Sequence, residues 1–497
     1  MPANLSEPAE PSAGQLVSGP ELLLDLGGAH SRVAVESALR AAVLDGRLGP
    51  GRRVPSSRAL AAQLGVARGT VAAAYGQLVA EGWLESRRGS GTRVADRGAR
   101  LGAEPARPAQ PSAPPGPRTA VVDLRPGVPD LSTFPRAAWS RASERALRTA
   151  VRTELGYPDP LGHLALREEL VAYLARARGV RTSVDRVVVC SGFVQVLDLL
   201  SRALAARGAR SVAVEECSLP LHRRILTGAG LTLTPLPVDG LGARTDDLAG
   251  QDAVLLTPAH QFPLGVALGP ARRTAVLDWA RRRGAVVLED DYDGELRYDR
   301  APVGALQGLD PDLVAYAGTA SKALAPAVGL AWAALPPALV GPVSELKERT
   351  AGTGVLEQLS MAELLRSGVY ERHVRSVRLG YRRRRDQLVS ALGERCPGVE
   401  VRGLAAGLHA VVTVDGRTAA DEPALVALAR RRGLVLAGLD EHRLVPEPEA
   451  PAALVVGYSR PAGQDWRTAL GLLTDLLGES GPRDQPAYGP SVRSTSD

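Results

Sequence analysis

Short apolar runs alternate with segments of helical periodicity from residue 122 to about residue 478. Because parallel strands are joined by crossover helices, this alternation predicts an α/β domain with a mostly parallel sheet covered by helices. Weaker runs at 434–436 and 454–458 predict a small C-terminal α+β subdomain. The strand candidates of the main sheet lie at 187–190, 211–215, 231–235, 253–256, 286–289 and 313–317.

Polar residues follow two of these strand candidates directly. The run at 285–288 leads into Asp290 and Tyr292, and the run at 253–256 leads into His260 and Gln261. In α/β sheets, ligands bind beyond the carboxyl ends of the strands. An aspartate at this edge can pair with a pyridinium nitrogen, and an acidic cluster can also bind a metal.

The chain contains only two lysines among its 60 basic residues, Lys322 and Lys347. Arginine is always protonated, whereas a desolvated lysine can lose its proton and attack a carbonyl carbon, as in a Schiff base. Hydroxyls at Thr319 and Ser321 flank Lys322 and can hold a phosphate, while Gly318 allows close backbone approach. Lys347 lies in a helical pattern and is interpreted as an ordinary helix residue.

A third feature is the strand, glycine turn and helix start at 187–195. Free backbone N–H groups at such a helix N-terminus bind anions. Ser191, Gly192 and Phe193 are therefore candidates for holding a phosphate, although the signal is weak without Lys322 and Asp290.

These stretches resemble the cofactor motifs of fold-type I pyridoxal 5′-phosphate (PLP) enzymes, the aspartate aminotransferase superfamily. The sequence at 257–265, TPAHQFPLG, resembles the MocR-type branch of the GntR-family regulators, which fuse a winged helix to an aminotransferase-like domain. The resemblance implies that Lys322 forms the Schiff base, that Asp290 pairs with the pyridine nitrogen and that Tyr292 reaches the phenolic oxygen. It also implies ring or effector contacts from His260 and Gln261, and phosphate contacts from Ser191, Gly192, Phe193, Thr319 and Ser321.

Three positions depart from that family pattern. Gly329 stands where an arginine is expected to contact the phosphate, Leu219 where an aromatic ring is expected to stack on the cofactor, and Val455 where an arginine is expected to grip a substrate carboxylate. Arg460 lies close to Val455 in the sequence and is a candidate to replace the missing arginine. A missing charge-assisted contact weakens binding about ten- to a hundredfold, so weakened PLP binding is expected.

The sequence of the N-terminal part predicts a DNA-binding module. Helical patterns at 33–44, from Ser56 or Ser57 to 64, and at 67–80 have helix-turn-helix spacing, and short strands at 83–86 and 92–95 flank a basic glycine tip. Residues 31–94 contain ten arginines and four acidic residues, and this excess of positive charge equals the net charge of +6 for the whole chain. This segment resembles the GntR-type winged helix, which implies contacts to double-stranded DNA from Ser57, Arg58, Arg68, Thr70, Arg87, Arg88, Gly89 and Gly91.

Composition sets the remaining boundaries. We expect disorder at 1–19 and 479–497, the winged helix at 20–95, a Pro-, Ala- and Arg-rich linker at 96–121 and the aminotransferase-like domain at 122–478. No run of about 18 apolar residues and no secretory signal occur, which predicts a cytoplasmic protein without a membrane span. Cys190, Cys217 and Cys396 lack metal-ligand spacing, so no metal site is expected.

The predicted function is transcriptional regulation in which the aminotransferase-like domain senses PLP or an amino compound. Two alternatives stay open: an active aminotransferase tethered to DNA, which Val455 argues against, and a degenerate domain that only dimerises. A homodimer is expected by resemblance, because fold-type I sites form at a dimer interface. The basic segment at 371–388, also typical of the MocR-type branch, is interpreted as a solvated helix face rather than a second DNA surface.

Overall fold

The computed structural model describes residues 24, 26, 29–87, 91–96, 122–298, 303–350 and 352–479. It divides into two compact units, residues 1–116 and 117–497. No helix in these described ranges is both long enough and apolar enough to cross a membrane.

The first unit is a winged helix. Its elements are α1 (Arg32–Leu44), α2 (Ser57–Leu64), α3 (Arg68–Ala80), β1 (Leu84–Arg87) and β2 (Gly91–Val94), with the two strands antiparallel. The hydroxyl of Ser56 accepts a hydrogen bond from the Ala59 N–H and so caps α2. Gly65, with φ of 65°, ends α2 in the left-handed conformation that turns the chain towards α3.

A seven-stranded sheet organises the second unit. In spatial order its strands are β4 (Val187–Cys190), β12 (Ala331–Ala334), β11 (Val314–Thr319), β10 (Val286–Asp290), β9 (Ala253–Leu256), β5 (Ser211–Glu215) and β6 (Thr232–Leu236). Strand β12 is the one that runs antiparallel to its neighbours. The expectation of a mostly parallel sheet is thereby confirmed. Three short strands of this unit lie outside the sheet: β3 (Val122–Asp123) and the antiparallel pair β7 (Val238–Asp239) and β8 (Gly242–Ala243).

Helices pack around this sheet and bury three apolar clusters against it. They are α4 (Arg136–Thr149), α5 (Leu164–Arg178), α6 (Phe193–Ala206), α7 (Pro220–Gly228), α8 (Pro270–Arg283), α9 (Pro337–Glu348), α10 (Val355–Arg366) and α11 (Val369–Arg395). Helix α4 begins at Arg136, directly after Pro135, which occupies its N-cap position.

The C-terminal part forms a small second sheet of order β13-β14-β17-β16, in which all neighbouring strands are antiparallel. Its elements are β13 (Val399–Arg402), β14 (Ala410–Thr418), α12 (Glu422–Arg431), β15 (Leu434–Val435), β16 (Ala437–Gly438), β17 (Pro451–Val456) and α13 (Trp466–Gly478). Strand β15 pairs with β3, so the first described segment after residue 121 is anchored on this part of the fold.

Candidate functional site

A cavity of about 870 Å³ opens at the carboxyl ends of β4, β9, β10 and β11. A volume of this size suits a cofactor together with a small ligand. Its wall brings together eight of the residues expected from the sequence: Ser191, Gly192, Phe193, Asp290, Tyr292, Thr319, Ser321 and Lys322.

The amine of Lys322 is held inside this cavity. Its Nζ donates a hydrogen bond to the Gly127 carbonyl oxygen at 2.6 Å. Burial lowers the pKa of Lys322, and the nearby charges of Asp290 and Asp293 oppose that shift. Lowering this pKa increases the unprotonated fraction, which is the nucleophilic form of a lysine amine.

Asp290 ends β10 and is 5% exposed. Its Oδ1 has no hydrogen-bond partner among the described residues. Burial raises the pKa of Asp290 well above the usual range, while the Lys322 charge acts in the opposite direction. A protonated ring nitrogen beside this carboxylate would supply both the missing donor and a compensating charge, so the residue fits the pyridinium of PLP.

Tyr292 lines the cavity, whereas His260 lies behind it. The Tyr292 hydroxyl is 3.0 Å from His260 Nδ1, which is also 2.8 Å from Asp293 Oδ2. The Gln261 amide donates to the Phe262 carbonyl in its own turn and to the Cys217 carbonyl in the segment after β5. Neither His260 nor Gln261 is among the residues that line the cavity, and the expected contact of these two residues with the ring or the effector stays a prediction.

The phosphate candidates all line the cavity. The Ser191 N–H and hydroxyl both donate to the Gln195 Oε1, at 2.8 and 3.2 Å, and the Thr319 hydroxyl donates to the Ser321 hydroxyl at 3.1 Å. Gly329 lies against Ser191: a Cβ added there would be 3.7 Å from the Ser191 carbonyl oxygen. Its φ of 60° strains any side chain, so an arginine would not adopt this backbone readily.

Gly318 serves packing rather than ligand approach. A Cβ at this position would come within 2.5 Å of the Trp332 Nε1 and 3.2 Å of the Tyr316 hydroxyl. The glycine therefore makes room for the indole on the neighbouring strand β12, and the expected close approach to a ligand is not what it provides.

The other two residues that depart from the family pattern are Leu219 and Val455. Leu219 lines the cavity just before α7, and His222 follows one turn later with its ring 4.8 Å from that of Phe193. Val455 is fully buried within β17. Arg460 lies 3.0 Å from Asp123 in an ion pair, and Asp123 also binds Arg125 at 2.7 Å.

Several further polar residues of the cavity wall were not predicted from the sequence, among them Arg125, Ser218, His222, His409 and His442. The scarcity of histidine was a usable signal, because the chain has only seven and three of them line this cavity. Burial lowers the pKa of His222 and of His442 to about 4 and that of His409 well below its usual value, so all three imidazoles are neutral at pH 7.

Glu215 at the end of β5 gives a pH-dependent prediction. Burial raises its pKa to about 7, although Thr257 and Gln261 donate hydrogen bonds to it. The carboxyl group of Glu215 holds its proton up to a higher pH in the folded chain than in the unfolded chain. Protonated Glu215 therefore contributes fully to the stability of the fold below about pH 4.5, and this contribution is lost as the pH rises to about 7.

Glu215→Gln is therefore expected to gain stability relative to the native chain between pH 5 and pH 8. The expected gain is about 2–3 kcal/mol, since each unit of pKa difference corresponds to about 1.4 kcal/mol. Urea unfolding across this pH range measures it. Parallel stability curves for the two proteins would show that Glu215 ionises normally.

The described DNA-contact candidates lie on helices α2 and α3 and on both strands of the winged helix. Arg58 and Arg68 are exposed near the starts of α2 and α3, with Ser57 and Thr70 half-buried beside them. Arg87 and Gly91 are exposed on the hairpin, and a Cβ at Gly91 would meet Arg53 at 2.9 Å. Arg88 and Gly89 lie outside the described residues.

Comparison with known families assigns both units. Residues 32–94 match the bacterial regulatory proteins of the gntR family, and residues 119–438 match the aminotransferase class I and II family. The chain belongs to the MocR-type branch of the GntR family of transcriptional regulators.

Named relatives agree with this membership. The MocR-type chain is 34% identical over 383 residues to the HTH-type pyridoxine biosynthesis transcriptional regulator PdxR of Corynebacterium glutamicum, covering 76% of this chain and 82% of PdxR. It is 33% identical over 378 residues to the probable rhizopine catabolism regulatory protein MocR of Rhizobium meliloti, covering 71% and 75%.

Solved structures confirm the aminotransferase fold of the second unit. An archaeal alanine:glyoxylate aminotransferase superimposes with a TM-score of 0.66 at 25% identity, over 72% of the MocR-type chain and 91% of the enzyme. The kynurenine aminotransferase of Pyrococcus horikoshii superimposes with a TM-score of 0.65 at 24% identity, over 73% and 92%. The fold-type I architecture expected from the sequence is confirmed.

Proposed function

We propose that this regulator binds double-stranded DNA through its winged helix and senses PLP or an amino compound through its aminotransferase-like domain. One observation carries the proposal: in a GntR-family chain, the lysine with a lowered pKa shares a cavity with the unpartnered carboxylate of Asp290. Both groups are suited to PLP, and neither is needed for a domain that only dimerises.

The residues that would hold PLP follow from the cavity wall. Lys322 would bind the aldehyde carbon, Asp290 the ring nitrogen and Tyr292 the phenolic oxygen. The phosphate would lie at the N-terminus of α6 with the hydroxyls of Thr319 and Ser321. When bound, PLP supplies an aldehyde that captures amines and a ring that withdraws electrons. Because Gly329 contributes no charge, we expect weaker phosphate binding than an arginine would give.

A sensor must favour one arrangement of the chain over another when its effector binds. The hydrogen bond from Lys322 to Gly127 supports such coupling. Any ligand that reacts with the amine removes a donor from Gly127, which lies in the first described segment after the linker region. We expect the regulator to act as a cytoplasmic homodimer.

Arg68→Ala is expected to weaken binding to the cognate DNA site by about 1–3 kcal/mol and to relax base preference there. Arg68 is the first residue of α3, the end of a recognition helix that enters the major groove. Fluorescence anisotropy at fixed salt measures the loss. Arg32→Ala, which removes a basic residue paired with Glu36 at the start of α1, is the matched control. Equal losses in both variants would exclude a specific role for Arg68.

Sensing is tested by measuring the same DNA affinity without ligand, with PLP, and with PLP plus a primary amine. A change in affinity supports the proposal. Turnover of amino acids by the pure protein, lost in Lys322→Ala, would instead indicate an active aminotransferase. An unchanged DNA affinity under all three conditions would leave dimerisation as the role of the domain.

A further inference from the structure

A second cavity, of about 690 Å³, lies between helices α5 and α11 and the segment that follows β10. We call it the arginine groove, because the described residues that line it include six arginines: Arg176, Arg178, Arg297, Arg375, Arg378 and Arg382. No described residue lines both this groove and the cavity around Lys322, so the two are separate sites.

The two acidic residues that line the arginine groove are already engaged. Glu371 lies 2.8 Å from Arg176 in an ion pair at the rim. Glu295 accepts a hydrogen bond from the Tyr370 hydroxyl at 2.9 Å, and burial raises the pKa of Glu295 to about 7. These carboxyl groups therefore do not neutralise the arginines that α11 brings to the groove.

Two of the six arginines belong to the floor of the groove and have partners within the fold. Arg178 is 2% exposed and donates to Asp291 at 2.6 Å. Arg297 is 6% exposed and donates to the Ala259 carbonyl oxygen at 2.9 Å. Their side chains are held in place by these contacts, which gives the groove a fixed, buried base.

The three arginines on α11 lack such partners. Arg375 and Arg378 make no hydrogen bond or ion pair with any described residue, and Arg382 reaches a carboxylate oxygen, that of Asp386, only at 4.0 Å. Their spacing of three and four residues places all three on one face of the helix, where like charges repel one another. An anion bound in the groove would remove this repulsion.

The geometry of this face selects the kind of anion. A guanidinium group binds phosphate through two parallel hydrogen bonds. From Arg375 to Arg382 the helix rises about 10 Å, so one phosphate group cannot contact all three side chains. The apolar side chains of Val374 and Leu379 also line the groove and can pack against the carbon atoms of a ligand. The concave shape and the volume suit a small molecule.

We propose that the arginine groove binds a small organic anion that carries two or more phosphate groups, of the nucleoside di- or triphosphate class. This site adds a second ligand to the regulator. It does not depend on the proposed sensing of PLP, since it uses neither Lys322 nor any other residue of that cavity.

Calorimetric titration of the full chain with orthophosphate, inorganic triphosphate and a nucleoside triphosphate, at one fixed ionic strength, tests the site. We expect both triphosphates to bind at least about tenfold more tightly than orthophosphate, because they contact more than one arginine. The double variant Arg375→Gln/Arg378→Gln should weaken their binding about ten- to a hundredfold.

The double variant Arg372→Gln/Arg383→Gln is the matched control. It removes two exposed arginines of the same helix that do not line the groove, and it is expected to keep the native affinity. The arginines of the winged helix are present in both double variants, so a loss confined to Arg375→Gln/Arg378→Gln places the ligand on α11. Triphosphate should also raise the thermal unfolding temperature of the native chain and of the control, but not of the groove variant.

Three outcomes would overturn the arginine groove as a small-molecule site. The first is equal binding of orthophosphate and triphosphate, and the second is an equal loss of affinity in the two double variants, which would indicate diffuse attraction by a basic helix. The third is absence of triphosphate binding together with weaker binding of a DNA duplex by the groove variant, which would assign these arginines to nucleic acid. None of these results bears on the binding of PLP at Lys322.

Discussion

Lys322→Ala is expected to abolish covalent attachment of PLP, and with it the visible absorbance band of the loaded protein. The loss should be complete, because alanine has no amine to bind the aldehyde carbon. The lowered pKa of Lys322 and its position in the same cavity as Asp290 are the reasons for expecting reaction at this residue. Absorbance spectra of both proteins, recorded before and after addition of PLP, measure the effect.

Lys347 is a built-in control for this experiment, because the chain has no third lysine. Its amine donates to the Pro160 carbonyl, and Lys347 is not part of the cavity wall around Lys322. Borohydride reduction of the PLP-loaded chain followed by peptide mass spectrometry should therefore find the label on Lys322. A label on Lys347, or a visible band that survives Lys322→Ala, would contradict the assignment.

Arg178→Met is expected to destabilise the aminotransferase-like unit by about 3–5 kcal/mol, since it leaves Asp291 charged and buried without its partner. Arg178 Nε donates to Asp291 Oδ2 at 2.6 Å and Nη2 donates to Oδ1 at 3.0 Å, with both side chains at most 1% exposed. The Tyr316 hydroxyl donates to the same carboxylate at 2.8 Å. Urea unfolding of the full chain, followed by circular dichroism, measures the change in the transition of this unit.

Arg176→Met is the matched control, two residues earlier on α5. Its ion pair with Glu371 is 2.8 Å long, but the Arg176 side chain is 60% exposed, so the expected loss is below about 1 kcal/mol. The double variant Arg178→Met/Asp291→Leu should recover part of the stability, because it removes both charges. Equal losses for Arg176→Met and Arg178→Met would show that burial of the pair contributes nothing.

The winged helix and the main cavity residues could be predicted because short stretches of the sequence indicate them. Lys322, Asp290 and Tyr292 each follow an apolar run, and the sheet brings the ends of those strands to one edge. The helices and hairpin of the winged helix follow from apolar spacing, serine caps and turn glycines. Family comparison confirmed the membership, whereas the individual DNA contacts remain predictions.

The surroundings of other residues could not be predicted, because neighbouring elements, rather than sequence neighbours, determine them. His260 follows a strand as Asp290 does, yet its ring lies behind Tyr292 and against Asp293. Gly318 resembles a glycine that admits a ligand, but the adjacent strand β12 places Trp332 against it. Periodicity specifies which face a residue occupies and carries no information about what the partner strand brings there.

The sequence by itself determined the two folding units, the order of strands and helices, and the lysine and aspartate suited to PLP. The tertiary structure alone decided which other side chains line the cavity, since Arg125, Ser218 and His442 come from three distant segments of the chain. Backbone pairing between the Ser218 and His442 segments, and between β3 and β15, brings them to one cavity. Such pairings depend on the packing of whole elements, and no local pattern in the sequence encodes them.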